Sequence, residues 1–108
     1  MSLTQKTCVP CQGGTPPLTA DEAKGYMSQV PGWELSAAAD RINRKFTFRD
    51  FLAALDFVNR VGALAEEEGH HPDIGFGWGY ADIAFLTHKI KGLHENDFIM
   101  AAKVNALA

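Results

Sequence analysis

The sequence lacks three features that would each define a class of protein. No apolar run approaches the roughly 18 residues that a membrane-spanning helix needs. The N-terminus lacks the basic and then apolar pattern of a signal peptide. The net charge is −3, so there is no basic excess of the kind that binds nucleic acid. We therefore expect a soluble cytoplasmic protein that binds neither membranes nor nucleic acid.

Cysteine is also scarce, and the two cysteines stand close together in the motif Cys8-Val9-Pro10-Cys11. They lie in residues 1–17, a polar segment rich in Gly, Pro and Thr that we expect to form an irregular arm. A zinc site would need two further ligands, and a thioredoxin-like motif would need a strand before it and a helix after it. Because neither context is visible, we favour an incidental or structural pair, while zinc binding and a redox role stay open.

Residues 18–108 have the composition of one ordinary globular domain. The whole chain has 108 residues, of which 46% are hydrophobic and 21% charged, and this is enough for a single core. A capping box at Thr19 and Glu22 predicts the start of a first helix. Two short strands, residues 33–35 and 41–48, should then form a hairpin.

A long helix over residues 49–68 follows, and its apolar arc is wide. Apolar side chains cover more of its circumference than packing on one sheet requires. The central stripe comprises Phe51, Leu55, Val58, Gly62 and Ala65, and its flanks comprise Leu52, Phe57, Val61 and Leu64. We therefore expect one side of the helix to pack on the sheet and another side to contact a second subunit.

The end of this helix carries two adjacent histidines, His70 and His71. Gly69 stands where a helix commonly ends in the left-handed conformation, and Pro72 disfavours the helical conformation for the residue before it. The two imidazoles should therefore leave the helix end in a fixed direction, with Glu66 one turn before His70. Histidine changes its charge near neutral pH, so this rigid corner has the composition of an active site.

Two further strands and a last helix complete the pattern. Residues 73–80 alternate glycine with other residues, and because no helix follows them we expect a bulge or a loosely packed strand there and no phosphate site. Residues 78–88 alternate as a strand that places Trp78 and His88 on one face, where a flat aromatic substrate has room to lie. His88 reaches the histidine corner only if this strand returns beside it. With a helix over residues 95–107, the element order predicts an α+β fold, a four-stranded antiparallel sheet with three helices packed on one face.

The histidines and their surroundings resemble the signature of the pterin-4a-carbinolamine dehydratase family. That signature is a Glu, three residues, His-His-Pro, a strand pair, Thr-His, and a Gly-Leu-x-x-x-Asp segment that opens the last helix. The matching residues here are Glu66, His70, His71, Pro72, Thr87, His88, Gly92, Leu93 and Asp97. The chain departs from common family residues at Gly69, Ile74, His94 and Asn96.

The resemblance implies an α+β fold, a homodimer or homotetramer, and dehydration of a 4a-hydroxytetrahydropterin to quinonoid dihydropterin with no cofactor and no metal. It also implies that the reaction recycles the cofactor of aromatic amino acid hydroxylases. Loss of the 4a-hydroxyl needs a proton donor for that oxygen and an acceptor for the proton on the neighbouring ring nitrogen. We expect His71 and His88 to share these two roles and His70 to position the substrate or assist. The expected substrate-binding or orienting residues are Glu66, Pro72, Trp78, Thr87 and Asp97, of which Glu66 and Asp97 would orient the imidazoles.

Three alternative functions differ from this interpretation. A zinc enzyme would use the three histidines as ligands, but the neighbouring extended side chains of His70 and His71 diverge, which makes them awkward ligands for one metal. A non-enzymatic dimerisation or binding protein is the second alternative, because some relatives in animals also bind a transcription factor. The third is an enzyme that acts on another pterin, such as a molybdopterin-type compound.

Overall fold

A computed structural model describes residues 2–10 and 13–108 of the chain. Its helices are α1 (Ala20–Met27), α2 (Phe51–Glu68) and α3 (Glu95–Leu107), and its strands are β1 (Glu34–Leu35), β2 (Ile42–Thr47), β3 (Asp73–Gly77) and β4 (Tyr80–Phe85). Short 3-10 helices span Leu3–Gln5 and His88–Ile90. Within the described part of the chain, no helix is both long and apolar enough to cross a membrane.

The four strands form one antiparallel sheet in the order β1-β2-β4-β3. The hairpin predicted for β1 and β2 is confirmed. In the second hairpin the register stays constant from Asp73 opposite Ala84 to Gly77 opposite Tyr80, so β3 contains no bulge. The connecting turn needs a glycine instead, because Gly79 has a φ of 81°.

The three helices pack against one face of the sheet, which confirms the predicted fold class. That face contributes buried apolar side chains from the two central strands, and the helices contribute the opposite wall of the core. The sheet residues are Ile42, Phe46, Ala81, Ile83 and Phe85, and their helical neighbours in the core include Phe57, Val61, Phe98, Ile99 and Val104. This single core buries one face of the sheet.

Helix α2 is rotated relative to the predicted apolar stripe. Its buried residues are Ala54, Phe57, Val61 and Ala65, whereas the predicted stripe began at Phe51, which is 45% exposed. The Phe57 ring explains this orientation, because it packs against Phe46 and Phe48 with centroid distances of 4.7 and 5.2 Å. Contact of the remaining apolar surface with a second subunit stays a prediction.

The last strand is shorter than predicted. β4 ends at Phe85, and the Thr87 amide donates to the carbonyl of Gly92 at 2.9 Å. This local pairing turns the chain into the 3-10 helix that starts at His88. The prediction that His88 is a strand residue on the open face of the sheet was therefore wrong.

The described part of the N-terminal arm packs on the domain. Apart from the Leu3–Gln5 turn it has neither helix nor strand, but Leu3 is only 4% exposed. Cys8 is half-buried, whereas Cys11 lies outside the described residues, so the predictions for the Cys8 and Cys11 pair are not addressed by the structure.

Candidate active site

The histidine corner forms where α2 ends. Gly69 has a φ of 68° and its amide donates to the carbonyl of Ala65 at 2.9 Å. The amide of His70 donates to the same carbonyl at 3.2 Å, so the left-handed residue closes the helix as predicted. The chain then runs through His71 and Pro72 into β3 with no further helical turn.

His70 faces the buried carboxylate of Asp97 in the first turn of α3. Its Nε2 lies 2.6 Å from Asp97 Oδ1, and the Asp97 side chain is 0% exposed. Asp97 Oδ2 also accepts from the Thr87 hydroxyl at 2.8 Å and from the His94 amide at 3.0 Å. Three donors therefore compensate for the loss of water around this carboxylate.

This arrangement fixes the orientation of the His70 ring. When Asp97 is ionised it accepts only, so Nε2 of His70 carries a proton. Among the described residues no hydrogen bond involves Nδ1 of His70, which is the nitrogen left for other work. The ring also lies nearly parallel to Phe85, with centroids 6.1 Å apart and an interplanar angle of 14°.

His71 forms a second pair with a carboxylate, and this pair is exposed. Its Nε2 lies 2.8 Å from Glu66 Oε1, and the two side chains are 59% and 80% exposed. The sequence places Glu66 one turn before His70, but in the structure Glu66 contacts His71 instead. The reason is that Asp97 of α3 already occupies the Nε2 side of His70.

His88 completes the group from the other side. It is exposed at the start of the 3-10 helix, and among the described residues its ring makes no hydrogen bond. Thr87, directly before it, is 4% exposed and holds Asp97. Two successive residues thus contribute to the site in different ways, one fixing the carboxylate and the other offering a free imidazole.

The three histidines line one cleft of about 480 Å³. Its wall consists of the end of α2, the segment after β4, one residue of α3 and part of the N-terminal arm. The lining residues are Cys8, Val9, Pro10, Glu68, Gly69, His70, His71, Leu86, Thr87, His88, Lys89 and Asn96. The cleft therefore brings three imidazole side chains together at one surface.

Four of the five predicted substrate-binding or orienting residues do not line the cleft: Glu66, Pro72, Trp78 and Asp97. Asp97 stands behind His70 and Thr87, and Glu66 touches the outer side of His71. Pro72 follows the histidines toward β3. Glu66 and Asp97 therefore contact the histidines from outside the cleft.

Trp78 does not join the site. It lies in the turn between β3 and β4 and is 72% exposed. The six residues of β4, at about 3.3 Å each, put this turn roughly 20 Å from the end of the strand that leads to His88. The expected position of Trp78 beside the substrate rested on a strand that continued to His88, whereas β4 ends at Phe85. A contact of Trp78 with the substrate stays a prediction.

The contribution of the N-terminal arm and of Asn96 to the cleft was not predicted from the sequence. Val9 and Asn96 are 87 positions apart, and their contact depends on tertiary packing that no local pattern encodes. Burial, followed by the charge of Glu68, raises the pKa of the Cys8 thiol to about 12, so this thiol is protonated at neutral pH. In the described ranges, no group of three or more His, Cys, Asp or Glu side chains is arranged to hold a metal ion.

A comparison with protein families agrees with this geometry. The model of the family described as "Pterin 4 alpha carbinolamine dehydratase" matches residues 16–107. The chain therefore belongs to the pterin-4a-carbinolamine dehydratase family, and the resemblance inferred from its histidine signature is confirmed.

Particular relatives extend over nearly the whole chain. Proteins that carry the name of this family in Methylococcus capsulatus and Halorhodospira halophila are 64% and 60% identical, each over 99% of this chain and over 94% and 98% of their own length. A crystal structure described as a transcriptional coactivator/pterin dehydratase from Brucella melitensis superposes with a TM-score of 0.80 at 33% identity, covering 85% of this chain and 98% of that one. A pterin dehydratase-like protein described as a RuBisCO assembly factor in the alpha-carboxysome gives a TM-score of 0.62 at 29% identity, covering 71% and 89%.

Proposed function

We propose that this protein dehydrates 4a-hydroxytetrahydropterin to quinonoid dihydropterin and water. The observation that carries the proposal is that His70, His71 and His88 meet at one cleft. The family to which the chain belongs and the names of its relatives support the same reaction.

The reaction needs two proton transfers at neighbouring atoms. The bond between C4a and the hydroxyl oxygen breaks, and a proton donated to that oxygen lets it leave as water. The proton on the adjacent ring nitrogen passes to a base. The electron pair of the broken N–H bond then forms the new double bond between this nitrogen and C4a. Each positioned acid or base of this kind typically contributes about 10² to 10⁴ in rate.

The two exposed imidazoles are best suited to these transfers. His71 and His88 both reach the cleft, and neither ring is enclosed by the core, so both can exchange protons with water after each turnover. Glu66 orients the His71 ring through the contact with Nε2. One imidazole acts as the acid toward the hydroxyl and the other as the base toward the ring nitrogen.

His70 has a positioning and assisting role in this scheme. The Asp97 carboxylate fixes its ring, and only 13% of its side chain is exposed. With Nε2 protonated toward Asp97, the free Nδ1 can accept a hydrogen bond from an N–H of the pterin. The histidine of the buried pair therefore holds the substrate while the two exposed histidines move protons.

The wider role follows from the product. We propose that a reductase returns the quinonoid dihydropterin to the tetrahydropterin that aromatic amino acid hydroxylases use. A cytoplasmic location and a homodimeric or homotetrameric assembly belong to the same proposal.

A direct assay tests the proposed reaction. The 4a-hydroxytetrahydropterin is generated in the assay mixture, and its conversion is followed by absorbance with and without the protein. Free imidazole, at a concentration equal to that of the protein's histidine side chains, controls for general buffer catalysis. We expect the protein to accelerate dehydration well beyond both controls, and a rate equal to that with imidazole would contradict the proposal.

A non-enzymatic binding role is the second candidate. The observation that favours it is the exposure of large apolar side chains away from the cleft, with Trp78 72% and Leu52 66% exposed. Both solved structures compared above carry descriptions of such roles. Absence of acceleration in the dehydration assay by a folded protein would favour this candidate.

A further inference from the structure

Residues 6–10 of the N-terminal arm are named here the N-terminal wall, and the last three of them form one side of the cleft. Cys8, Val9 and Pro10 line it together with the three histidines. This segment contains none of the family's signature residues, and the family match begins only at residue 16.

A buried side chain of α3 holds the centre of the wall. Asn96 is 2% exposed and exchanges two hydrogen bonds with the backbone of Val9. The Val9 amide donates to Asn96 Oδ1 at 3.1 Å, and Asn96 Nδ2 donates to the Val9 carbonyl at 2.7 Å. A side-chain amide that matches both backbone groups of one residue fixes the position of that residue along the cleft.

A buried carboxylate of α2 holds the preceding residue. The Cys8 amide donates to Glu68 Oε1 at 2.9 Å, and the ammonium of Lys103 donates to Glu68 Oε2 at 2.9 Å. The donated hydrogen bonds from Cys8 and Lys103 lower the pKa of Glu68 despite its burial. The start of the wall also contacts α3, because Nζ of Lys6 lies 3.0 Å from Oε2 of Glu95.

These anchors lie beside the groups of the candidate active site. Glu68 is two residues before His70, and Asn96 directly precedes Asp97. The wall is therefore positioned by the same two helix ends that position the histidine and carboxylate pair. A surface segment that only protected the core would not need its backbone fixed next to these residues.

The wall residues that line the cleft, Cys8, Val9 and Pro10, include no charged side chain. Val9 is 55% exposed although its backbone is held on both sides, and Pro10 follows it in the lining. The histidines supply polar groups, but a flat heteroaromatic ring also needs an apolar surface against its face. An exposed valine on a fixed backbone offers such a surface.

We propose that Val9 and Pro10 contact the ring face of the pterin, and that Asn96 is a positioning residue that holds them there. This inference rests on the proposed function and adds to it a specificity-determining surface outside the family signature. The contact is made equally in the bound substrate and in the transition state, because it involves no group that gains or loses a proton. Its loss should therefore raise KM and leave kcat nearly unchanged.

Two variants and one matched control test the inference. Asn96→Ala removes the support of the wall, and Val9→Ser changes only an exposed side chain. Asn105→Ala is the control, because Asn105 is also on α3 and bonds to Trp33, Arg44 and Pro31 instead of the wall. The readouts are kcat, KM, the dissociation constant of a stable dihydropterin and the hydrogen exchange rate of the Val9 amide.

We expect both variants to raise KM and the dihydropterin dissociation constant by about three- to tenfold, with kcat within about twofold of wild type. Asn96→Ala should also speed exchange of the Val9 amide at least tenfold, whereas Val9→Ser should not. Asn105→Ala should leave both affinities unchanged. Should Asn96→Ala fail to fold, Val9→Ser still decides the question, since it alters a surface residue.

Unchanged affinity in Val9→Ser, or in a folded Asn96→Ala whose Val9 amide exchanges freely, would overturn the inference while leaving the proposed function intact. A wild-type protein that binds dihydropterin but does not accelerate dehydration would instead overturn the proposed function. In that case the dihydropterin dissociation constants of the variants still test whether the wall contacts the pterin. A wild-type protein that binds no pterin would overturn both.

Discussion

The site contains two pairs of a histidine and a carboxylate that differ in their surroundings. Asp97 Oδ1 lies 2.6 Å from Nε2 of His70, and the Asp97 side chain has no exposed surface. Glu66 Oε1 lies 2.8 Å from Nε2 of His71, and the Glu66 side chain is 80% exposed. The Asp97 carboxylate of the buried pair is held in a single orientation, because three donors bond to it. The exposed pair can break and re-form in water, where such contacts contribute only about 0–1 kcal/mol. This difference in burial fits the proposal that the buried pair fixes geometry, while His71 of the exposed pair is free to exchange protons with water.

The largest expected effect comes from removing the two histidines that we propose transfer protons. His71→Ala and His88→Ala should each lower kcat on the order of 100-fold, and by at least about tenfold. Each variant removes an acid or base from the transition state. Neither change should cost much folding stability, since both rings are exposed. The measurements are kcat in the dehydration assay and the thermal midpoint, and wild-type rates in both variants would refute this division of roles.

The next effect concerns the buried pair. In Asp97→Asn the amide can keep accepting from Thr87 and the His94 amide if its NH₂ group faces His70, but Nε2 of His70 must then accept instead of donate. We expect the tautomer of His70 to switch, with kcat/KM lowered about 10- to 100-fold and about 1–2 kcal/mol of stability lost. The ¹⁵N shifts of the imidazole report the tautomer directly. An unchanged tautomer together with a full loss of activity would show that Asp97 acts in some other way.

A smaller effect is expected in the exposed pair. Glu66→Gln should lower kcat about two- to tenfold with little change in KM or in the thermal midpoint, because it weakens the orientation of His71 without opening the core. Glu67→Gln is the matched control, since Glu67 is a neighbouring exposed acid with no contact to a histidine among the described side chains. Equal kcat values for wild type and both variants would reduce Glu66 to a surface charge.

The smallest effect should appear at acidic pH. Glu68 has a pKa lowered in the folded state from 4.5, first by the Cys8 amide and then by Lys103. Its contribution to folding is therefore fully present above about pH 4.5 and is lost as the pH falls through the lower folded pKa. We expect the Cys8 and Val9 amides to exchange faster, relative to the intrinsic rate, as the pH falls below 4.5. Glu68→Gln should remove this dependence, and an identical acid response in that variant would assign it to another group.

The parts of the structure that the sequence predicted correctly depend on local chemistry. The end of α2 at Gly69 and the start of α3 at Glu95 follow from a left-handed glycine and from a capping box in which Asp97 accepts from the His94 amide. Both signals lie within a few residues of the element they define. The histidine corner was predictable for the same reason.

The parts that were missed depend on distant contacts. The rotation of α2 follows from how Phe57 packs against β2, and the end of β4 follows from the pairing of Thr87 with Gly92. The assignment of Asp97 to His70 and of Glu66 to His71 was not predicted, because it depends on how α3 packs beside the end of α2. In each case periodicity gave the element, but tertiary packing decided which side chains met.

The most direct test of this division between a positioning pair and proton-transferring histidines is the dehydration rate of the double variant His71→Ala/His88→Ala. The variant keeps His70 and Asp97, so a folded protein with an intact buried pair is expected, as checked by circular dichroism and by dihydropterin binding. The account predicts that it binds the dihydropterin within a few-fold of wild type but dehydrates the substrate no faster than free imidazole. Dehydration at the wild-type rate by the folded double variant would contradict the account.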